Sequence, residues 1–399
     1  MRRSYLVFGR PAFGPDERAE VLDTIDSGWV GTGPKTHRFE AEFARYLGAQ
    51  RCVALASGTS ALHLSILAAG IGPGDEVIVP AMTFCATANA VIHAGARPVF
   101  ADVDPATMNL DPADVRRRVT RRTRAVIPVH LHGRPCDMDA LGAIARARRL
   151  LVIADAAHAI EAVYKGRRVG HLADITCFSF YVTKNLTTVE GGMIATSRCS
   201  WADQVKVLAS HGMSQDAWAR FSDRGYRHYD VVRPGFKCRM TDLQASFGLH
   251  QLRRLEANLK VRERFWAFYD RELAGLPLTL PAPPEPGTRH ARHLYAVRLK
   301  PQAPLDRDEL MAALHRRRIG TGVHYTALHL QPYYRRAYGY RPGDLPHCEA
   351  IGRTTLSLPL SAGMSENDAR DVVSALREVL ARPQAQQAPR RRRPFRRRA

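Results

Sequence analysis

The stretch CVALASGTSALHLSILAAG, residues 52–70, contains the pattern that decides the fold. Its first part, CVALAS, is a short apolar run typical of a buried strand, and GTSALHLSILAAG has the length of a helix and ends in glycine. The same unit recurs over residues 76–103 and again over residues 124–159. Strands that alternate with helices in this way predict parallel strands joined by crossover helices. The predicted fold class is therefore α/β, with a large domain built on a mainly parallel central sheet.

The alternation changes in the second half of the chain. Leu and Phe recur at helical spacing over residues 240–273, which predicts one long helix, and the Pro-rich segment at residues 276–287 is typical of a linker. A strand-like segment and two helices follow it. We predict an N-terminal segment and a large cofactor-binding domain over residues 1–255 and a smaller C-terminal α/β domain over residues 256–382. A disordered Arg-rich tail over residues 383–399 completes the chain.

The charge balance is strongly basic. The chain has 399 residues, with 59 Lys+Arg against 38 Asp+Glu and a formal net charge of +21. Part of this excess lies in the tail, PRRRRPFRRRA, which suits weak and salt-dependent binding of polyanions. No helix-turn-helix or RNA-binding signature accompanies the tail, so we expect no nucleic-acid function beyond such weak binding. The remaining positive charge suits a phosphorylated small-molecule substrate.

The sequence gives no indication of a membrane protein, a disulfide framework or a metal site. No segment approaches the roughly 20 apolar residues that span a bilayer, and the first residues lack an apolar run of signal-peptide length, so we expect a cytoplasmic protein with no membrane partner. The seven cysteines are odd in number and form no CxxC pair or Cys/His cluster. We therefore expect free, buried thiols and no metal site.

The segment FSFYVTKNLTTVEGG, residues 178–192, contains a lysine in a chain that otherwise prefers arginine. An amine can lose its proton in a dry site and attack a carbonyl, whereas a guanidinium stays charged. Lys184 is therefore a candidate nucleophile. A lysine that extends its amine to solvent at a strand end explains this segment equally well.

Polar residues follow three of the predicted strands, at the end where an open α/β sheet binds its ligands. Gly58 and Thr59 lie in a strand-to-helix turn whose amides can bind a phosphate. Asp155 follows a hydrophobic strand, with His158 three residues later. Ser179 has a hydroxyl that can bind the same phosphate. Each feature alone is common in helix caps and turns.

Together with Lys184, these features suggest pyridoxal phosphate (PLP). That cofactor needs a lysine to hold its aldehyde as a Schiff base, a carboxylate at its ring nitrogen, and a phosphate cup made of amides and hydroxyls. The sequence supplies a candidate for each requirement, in a suitable chain order.

The chain also resembles a known family, the DegT/DnrJ/EryC1/StrS sugar aminotransferases of PLP fold type I. The resemblance extends from about residue 9 to residue 380. It rests on five segments, which read SGTSALHLSILAAGIGPGDEVIVPAMTF, VIADAAHAIEAVYKGRRVG, FSFYVTKNLTTVEGGMIAT, HG at residues 211–212, and PGFKCRMTDLQASFGLHQL.

The resemblance implies roles for individual residues. Lys184 would bind the cofactor covalently and then move the proton between the substrate carbon and the cofactor. Asp155 would pair with the pyridine nitrogen, His158 would face the ring near its phenolic oxygen, and Phe84 would stack on the ring. The phosphate cup would consist of Gly58, Thr59 and Ser179.

The family pattern also implies a homodimer with shared active sites. In PGFKCRM, residues 234–240, Lys237 and Arg239 match a segment that reaches the neighbouring subunit's cofactor. Many members have Asn where this chain has Lys237, and a lysine can still contact the phosphate as a point charge.

The substrate expectation comes from IGTGVHYTALHLQPYY, residues 319–334. Its residues His324, Tyr325 and His329 match the loop that, in members acting at C4 of UDP-linked ketosugars, borders the sugar-nucleotide pocket. The implied reaction moves an amino group from L-glutamate or glutamine to a nucleotide-linked ketosugar. Transfer to C3 of a ketosugar or to a ketocyclitol is the enzymatic alternative, and a nucleic-acid-binding or regulatory protein that uses the tail is the non-enzymatic one.

Overall fold

The computed structural model describes residues 2–214 and 229–381, so the predicted tail at residues 383–399 lies outside the described residues. The strands of the described part are β1 Arg51–Leu55, β2 Glu76–Pro80, β3 Arg97–Ala101, β4 Thr123–Val126, β5 Leu151–Asp155, β6 Val163–Tyr164, β7 Arg167–Arg168, β8 Ile175–Ser179, β9 Gly192–Thr196, β10 Leu278–Thr279, β11 Tyr295–Leu299 and β12 Thr355–Leu358. The helices are α1 Pro15–Asp26, α2 Pro34–Leu47, α3 Gly58–Ala68, α4 Cys85–His93, α5 Pro112–Arg118, α6 Met138–Arg148, α7 Cys199–Ala209, α8 Asp242–Arg253, α9 Leu255–Glu272, α10 Arg307–Arg316, α11 Pro332–Tyr338, α12 Pro346–Thr354 and α13 Glu366–Leu380.

The larger sheet has seven strands in the order β1-β9-β8-β5-β4-β2-β3. Strands β3, β2, β4, β5 and β8 pair in parallel, and β9 pairs antiparallel with both β8 and β1, so within this sheet β9 alone runs in the opposite direction. The register pairs Ile153 with Ile175 and Asp155 with Cys177. The predicted α/β fold with a mainly parallel sheet is confirmed.

Helices cover both faces of this sheet because alternate strand residues point to opposite sides. Val77 and Val79 belong to the apolar cluster that includes helices α3, α4 and α7. Ile78, between them, belongs to the cluster with α5 and α6. Towards the β1 edge, Phe39 and Phe43 of α2 pack against the strands as part of a third cluster. The larger sheet is therefore covered by helices on both faces, and the ends of its strands are the part that remains accessible.

The smaller sheet is antiparallel, in the order β10-β11-β12, and packs against α9, α10 and α13. The start of the chain joins this unit. Leu6 is buried in its apolar cluster and forms a backbone bridge with Ile319, and Arg2 pairs with Asp368 at 2.5 Å. The chain then passes to α1, which packs on α8 beside the larger sheet.

The predicted helix over residues 240–273 is two helices, α8 and α9, which meet at Arg254. Their apolar faces pack into different parts of the protein core, since α8 packs on α1 and α2 whereas α9 packs on α13. At the junction, the Arg254 guanidinium pairs with the buried carboxylate of Glu17. The prediction of one continuous helix was wrong because periodicity reports an apolar face and not the direction of the helix axis.

One side chain from α8 caps another helix. Asp242 is buried, and its Oδ1 accepts hydrogen bonds from the Gly33 amide at 2.8 Å and the Thr36 amide at 2.9 Å, while Oδ2 accepts from the Lys35 amide at 3.0 Å. These amides belong to the first turn of α2, which begins at Pro34 and has no cap of its own. Asp242 therefore fixes α2 to α8 across the sequence.

All seven cysteines are free, as predicted, but only Cys52, Cys136, Cys177 and Cys348 are buried. The expectation of seven buried thiols was wrong for the other three, which lie near helix ends or in a loop and keep part of their surface exposed. No helix among the described residues combines the length and the apolar character needed to cross a lipid bilayer.

Candidate active site

Asp155 lies at the carboxyl end of β5, near the middle of the larger sheet, and is 6 % exposed. Its Oδ2 accepts a hydrogen bond from Thr87 Oγ1 at 2.9 Å, and its Oδ1 accepts one from the Ala157 amide at 3.1 Å. Burial raises the pKa of this carboxyl, while the two hydrogen bonds and the charge of Lys184 act against that rise. The carboxylate therefore favours a positively charged neighbour.

Lys184 lies in the turn after β8, where its amide donates to the Tyr181 carbonyl at 2.9 Å. Protein atoms surround the side chain, which keeps part of its surface open to a cavity. Burial lowers the pKa of the amine to about 8, against the opposing effect of Asp155. A buried amine with this pKa is neutral often enough near neutral pH to act as a nucleophile.

His158 is fixed by hydrogen bonds on both ring nitrogens. Nδ1 lies 3.2 Å from the backbone amide of His132, which can only donate, so Nδ1 accepts and Nε2 holds the proton. Nε2 lies 3.3 Å from the Tyr325 hydroxyl oxygen, to which it donates. Burial lowers the pKa of His158 well below its usual value, and the charge of Lys184 adds to this effect. The imidazole is therefore neutral, with one defined tautomer.

A loop that enters the smaller sheet completes this side of the site. His132 Nε2 donates to the His324 carbonyl at 2.9 Å, and His324 Nδ1 lies 2.9 Å from Ser357 Oγ of β12. The Tyr325 ring lies 6.0 Å from the ring of Phe84, centroid to centroid. Phe84 is 57 % exposed at the start of α4, so its ring is available to a ligand.

The turn between β1 and α3 forms a cradle. Ser57 caps α3 by accepting from the Ser60 amide at 3.1 Å, and the amides of Gly58 and Thr59 have no acceptor within the helix. A Cβ on Gly58 would lie 2.8 Å from Ser179 Cβ, so this glycine allows the helix end to approach β8 closely. Exposed helical amides beside a serine hydroxyl are suited to a phosphate.

Not every predicted residue joins this group. His329 is fully buried, and its Nε2 lies 3.2 Å from Glu349 Oε1, so its contacts are those of a core histidine. Lys237 is exposed. The backbone of Arg239 bridges to Leu55, and the Cys238 carbonyl accepts from the Ala56 amide at 2.7 Å, so this segment runs alongside the residue that precedes the cradle.

The structure adds residues that sequence reasoning missed. The ring of His293 lies 4.5 Å from that of His158, centroid to centroid and tilted by 37°, and its Nδ1 lies 2.9 Å from Asn185 Oδ1. Asn185 donates to Glu161 Oε2 at 2.8 Å, and Glu161 pairs with Arg262 in a buried ion pair. His132 was also not predicted. It follows β4 at the same end of the sheet, so the expectation that polar residues after the strands form the site, which identified Asp155, applies to it as well. No sequence signal marks His293.

These residues fit PLP. The amides and hydroxyl of the cradle are of the kind that holds a phosphate, Asp155 is a buried carboxylate of the kind that pairs with a ring nitrogen, and Lys184 is an amine with a lowered pKa of the kind that attacks an aldehyde. The three groups follow β1, β5 and β8, which end at the same edge. Among the described residues, no group of three or more His, Cys, Asp or Glu side chains is placed to bind a metal ion. The fold and this edge define the class of PLP-dependent aminotransferases.

Comparison with known proteins identifies the family. Residues 11–377 match the model of the DegT/DnrJ/EryC1/StrS aminotransferase family. The chain is 46% identical over 382 residues to the spore coat polysaccharide biosynthesis protein SpsC of Bacillus subtilis, a match that covers 95% of this chain and 98% of SpsC. This protein therefore belongs to the DegT/DnrJ/EryC1/StrS family of PLP-dependent sugar aminotransferases.

Solved structures agree with this assignment. Spr1654 from Streptococcus pneumoniae, in its PMP form, superimposes with a TM-score of 0.89 at 33% identity and covers 94% of this chain and 99% of that one. It has also been solved in a PLP form. DesV of S. venezuelae, in complex with a ketimine intermediate, has a TM-score of 0.84 at 36% identity and covers 92% of this chain and 95% of that one.

Proposed function

We propose that this aminotransferase moves an amino group from L-glutamate, or from glutamine, to the C4 keto group of a nucleotide-linked ketosugar. The observation that carries the proposal is the position of Lys184, Asp155 and His158 at one sheet edge, with Tyr325 held against His158 by a loop from the other part of the chain. A site built from two parts of the chain can admit a large substrate between them.

The residues divide the chemistry between them. Bound PLP supplies an electron sink for the charge that forms when a proton leaves the substrate carbon. Asp155 keeps a proton on the ring nitrogen, and Lys184 first binds the cofactor and later moves the proton at the reacting carbon. His158 donates from Nε2 to Tyr325 and leaves the tyrosine proton free to point to the substrate. Phe84, whose ring is exposed, would stack on the cofactor ring.

The choice of a nucleotide-linked ketosugar and of C4 is supported by the loop of His324 and Tyr325, which lies beside His158 and Phe84. The basic composition suits a substrate with phosphates. SpsC, which takes part in spore coat polysaccharide biosynthesis, points to the same kind of sugar chemistry.

We also propose a cytoplasmic homodimer in which Lys237 and Arg239 serve the neighbouring subunit's site. Next to this segment, Val231 and Val232 are 65% and 59% exposed and Phe236 is 40% exposed, which supports an interface at this surface. Within each chain, we propose that residues 1–255 and 256–382 act as two domains. The packing of Leu6 with the smaller sheet suggests that the N-terminal segment connects them.

A direct assay tests the reaction. The cofactor-loaded protein would be incubated with L-glutamate and each of a set of UDP- and dTDP-linked 4-ketosugars, with mass spectrometry for the amino sugar and NMR for the carbon that bears nitrogen. We expect amination at C4 of at least one of them. Amination of a 3-ketosugar or a ketocyclitol instead would contradict the C4 proposal, and a loaded protein that aminates none would contradict the ketosugar proposal. Labelled glutamine in a parallel reaction distinguishes the donors.

A further inference from the structure

A small cavity lies beside Lys184, on the side of the N-terminal segment. Five parts of the chain form its wall, namely residues 9–12, the turn at residues 182–187, helix α8, helix α9, and residues 360–363. The space open to water-sized molecules is about 40 Å³. One water molecule needs ~10–15 Å³ by this measure, so the cavity has room for a few waters or for a group of similar size.

The lining of this cavity carries positive charge only. Arg10, Lys184 and Arg262 contribute to the wall, and no aspartate or glutamate does. The charge of Arg262 is balanced by its buried ion pair with Glu161. Arg10 has neither an ion pair nor a side-chain hydrogen bond within residues 2–214 and 229–381. The cavity therefore presents an arginine and a lysine with no counter-ion in contact.

Uncharged polar groups in the wall are also free. The side chains of Thr183, Asn258 and Ser361 all line the cavity, and in the described part of the chain none of them has a hydrogen-bond partner. Asn258 and Ser361 are only partly exposed. These side chains face the cavity without a protein partner, so they are available to water or to a ligand, and together with Arg10 they place several hydrogen-bond donors beside Lys184.

We propose that this cavity binds a carboxylate of the amino-group donor, with Arg10 as the residue that selects for it. This inference rests on the proposed function, in which either donor, L-glutamate or glutamine, carries at least one carboxylate. A carboxylate only accepts hydrogen bonds, and Arg10, Thr183, Asn258 and Ser361 can all donate. The volume of the cavity suits one carboxylate.

Binding of glutarate, a dicarboxylate without an amino group, tests the proposal because glutarate cannot react. Calorimetric titration would use the full-length, cofactor-loaded protein. We expect Arg10→Gln to bind glutarate at least about tenfold more weakly, the loss typical of a hydrogen bond to a charged group, and Arg10→Lys to fall between. Asn258→Ala should weaken binding to a lesser extent. Arg18→Gln, which removes another exposed arginine outside the cavity, is the matched control and should bind as the parent does.

UDP provides the second arm of the experiment, since its phosphates are the other anions that the enzyme would meet. We expect UDP affinity to be the same in Arg10→Gln and the parent. A loss of UDP affinity with unchanged glutarate affinity would assign Arg10 to the nucleotide and overturn the proposal. Unchanged glutarate affinity in both Arg10→Gln and Asn258→Ala, or no binding of glutarate by the parent, would overturn it too. A parent that gains no cofactor absorbance would instead contradict the proposed function, so the two failures are distinguishable.

Discussion

At the scale of single residues, the environments of Lys184 and Asp155 are matched to each other. Burial disfavours charge on both groups, so it lowers the pKa of the amine and raises that of the carboxyl. Each group acts against the shift of the other, but burial is the larger effect for both. The environment therefore favours a neutral amine on Lys184, and the Asp155 carboxylate would be stabilised by a positively charged group beside it.

The lowered pKa of Lys184 gives a pH dependence for cofactor attachment. Only the neutral amine attacks an aldehyde, so the rate at which the cofactor-free protein gains cofactor absorbance should rise as pH increases through about 8 and then level off. Stopped-flow absorbance between pH 6 and 10 measures it. Lys184→Ala should bind the cofactor without covalent attachment. A midpoint near 10, the usual value for lysine, would show that the amine is not desolvated.

Asp155→Asn should keep the fold but slow both halves of the reaction. The neutral amide no longer favours a proton on the ring nitrogen, and loss of a hydrogen bond to a charged group costs about 1.5–3 kcal/mol, or roughly one to two decades in rate. Single-turnover rates with glutamate and with the ketosugar measure this effect. Thr87→Val, which removes only one hydrogen bond to Asp155, is the matched variant and should lose less. Rates for Asp155→Asn within a factor of about two of the parent would contradict the assigned role.

At the scale of secondary-structure elements, the cap that α8 gives to α2 is a contact that neither helix could make alone. Asp242→Ala would leave several amides of the first turn of α2 without an acceptor in a buried setting. We expect the free energy of unfolding to fall by about 1.5–3 kcal/mol. Asp111→Ala, which removes an exposed cap of α5, should cost only about 1 kcal/mol. Urea unfolding of both variants measures the two losses of unfolding free energy. Equal losses would show that the cap between α8 and α2 stabilises the protein no more than an ordinary helix cap.

Sequence rules predicted the elements of the larger sheet and the groups that follow its strands. Asp155 and Ser179 were within reach because parallel strands end at a common edge, a property that apolar runs reveal. The break between α8 and α9 at Arg254 could not be predicted, because the apolar residues of both helices follow the same periodicity. His293 and Arg10 were also out of reach. Their sequence neighbours give no pattern, and only the folded chain brings them to Lys184.

At the scale of the whole molecule, several buried histidines make stability depend on pH. Burial lowers the pKa of His130 and His132 to about 4 and that of His324 to about 3, and it lowers the pKa of His158 and His293 well below the usual value. In the unfolded chain these groups titrate near 6.5, so below that pH the unfolded state binds more protons. The stability they contribute is present above about 6.5 and is lost as pH falls towards 4.

We therefore expect the midpoint of thermal unfolding to fall as pH decreases from 6.5 to 5, with cofactor in constant excess. Burial raises the pKa of Asp155 and Glu161, which acts in the opposite direction, but the histidines outnumber them. His132→Asn removes one titrating group and suits the left-handed backbone at this position, where φ is 58°. Its curve should be shallower than that of the parent. If the unfolding midpoint of the parent did not change with pH, protonation of these histidines would not destabilise the folded protein.

Shared active sites can be tested by complementation. Lys184→Ala chains would be mixed with chains changed at both Lys237 and Arg239, after tagged chains have shown that subunits exchange. If the proposed dimer is correct, each heterodimer has one intact site and activity returns. Heterodimers that stay inactive would place Lys237 and Arg239 in the site of their own chain, or away from the reaction.

The path of the N-terminal segment offers a way to observe the enzyme at work. Arg2 and Leu6 attach to the unit of the smaller sheet, Arg10 lines the cavity beside Lys184, and α1 packs near the larger sheet. Ser4 is exposed between the first two contacts. An environment-sensitive fluorophore attached through Ser4→Cys, in a background without the three accessible cysteines, would therefore report any shift of the smaller unit when a ligand occupies the cavity. A single labelled residue would turn substrate binding into an optical signal.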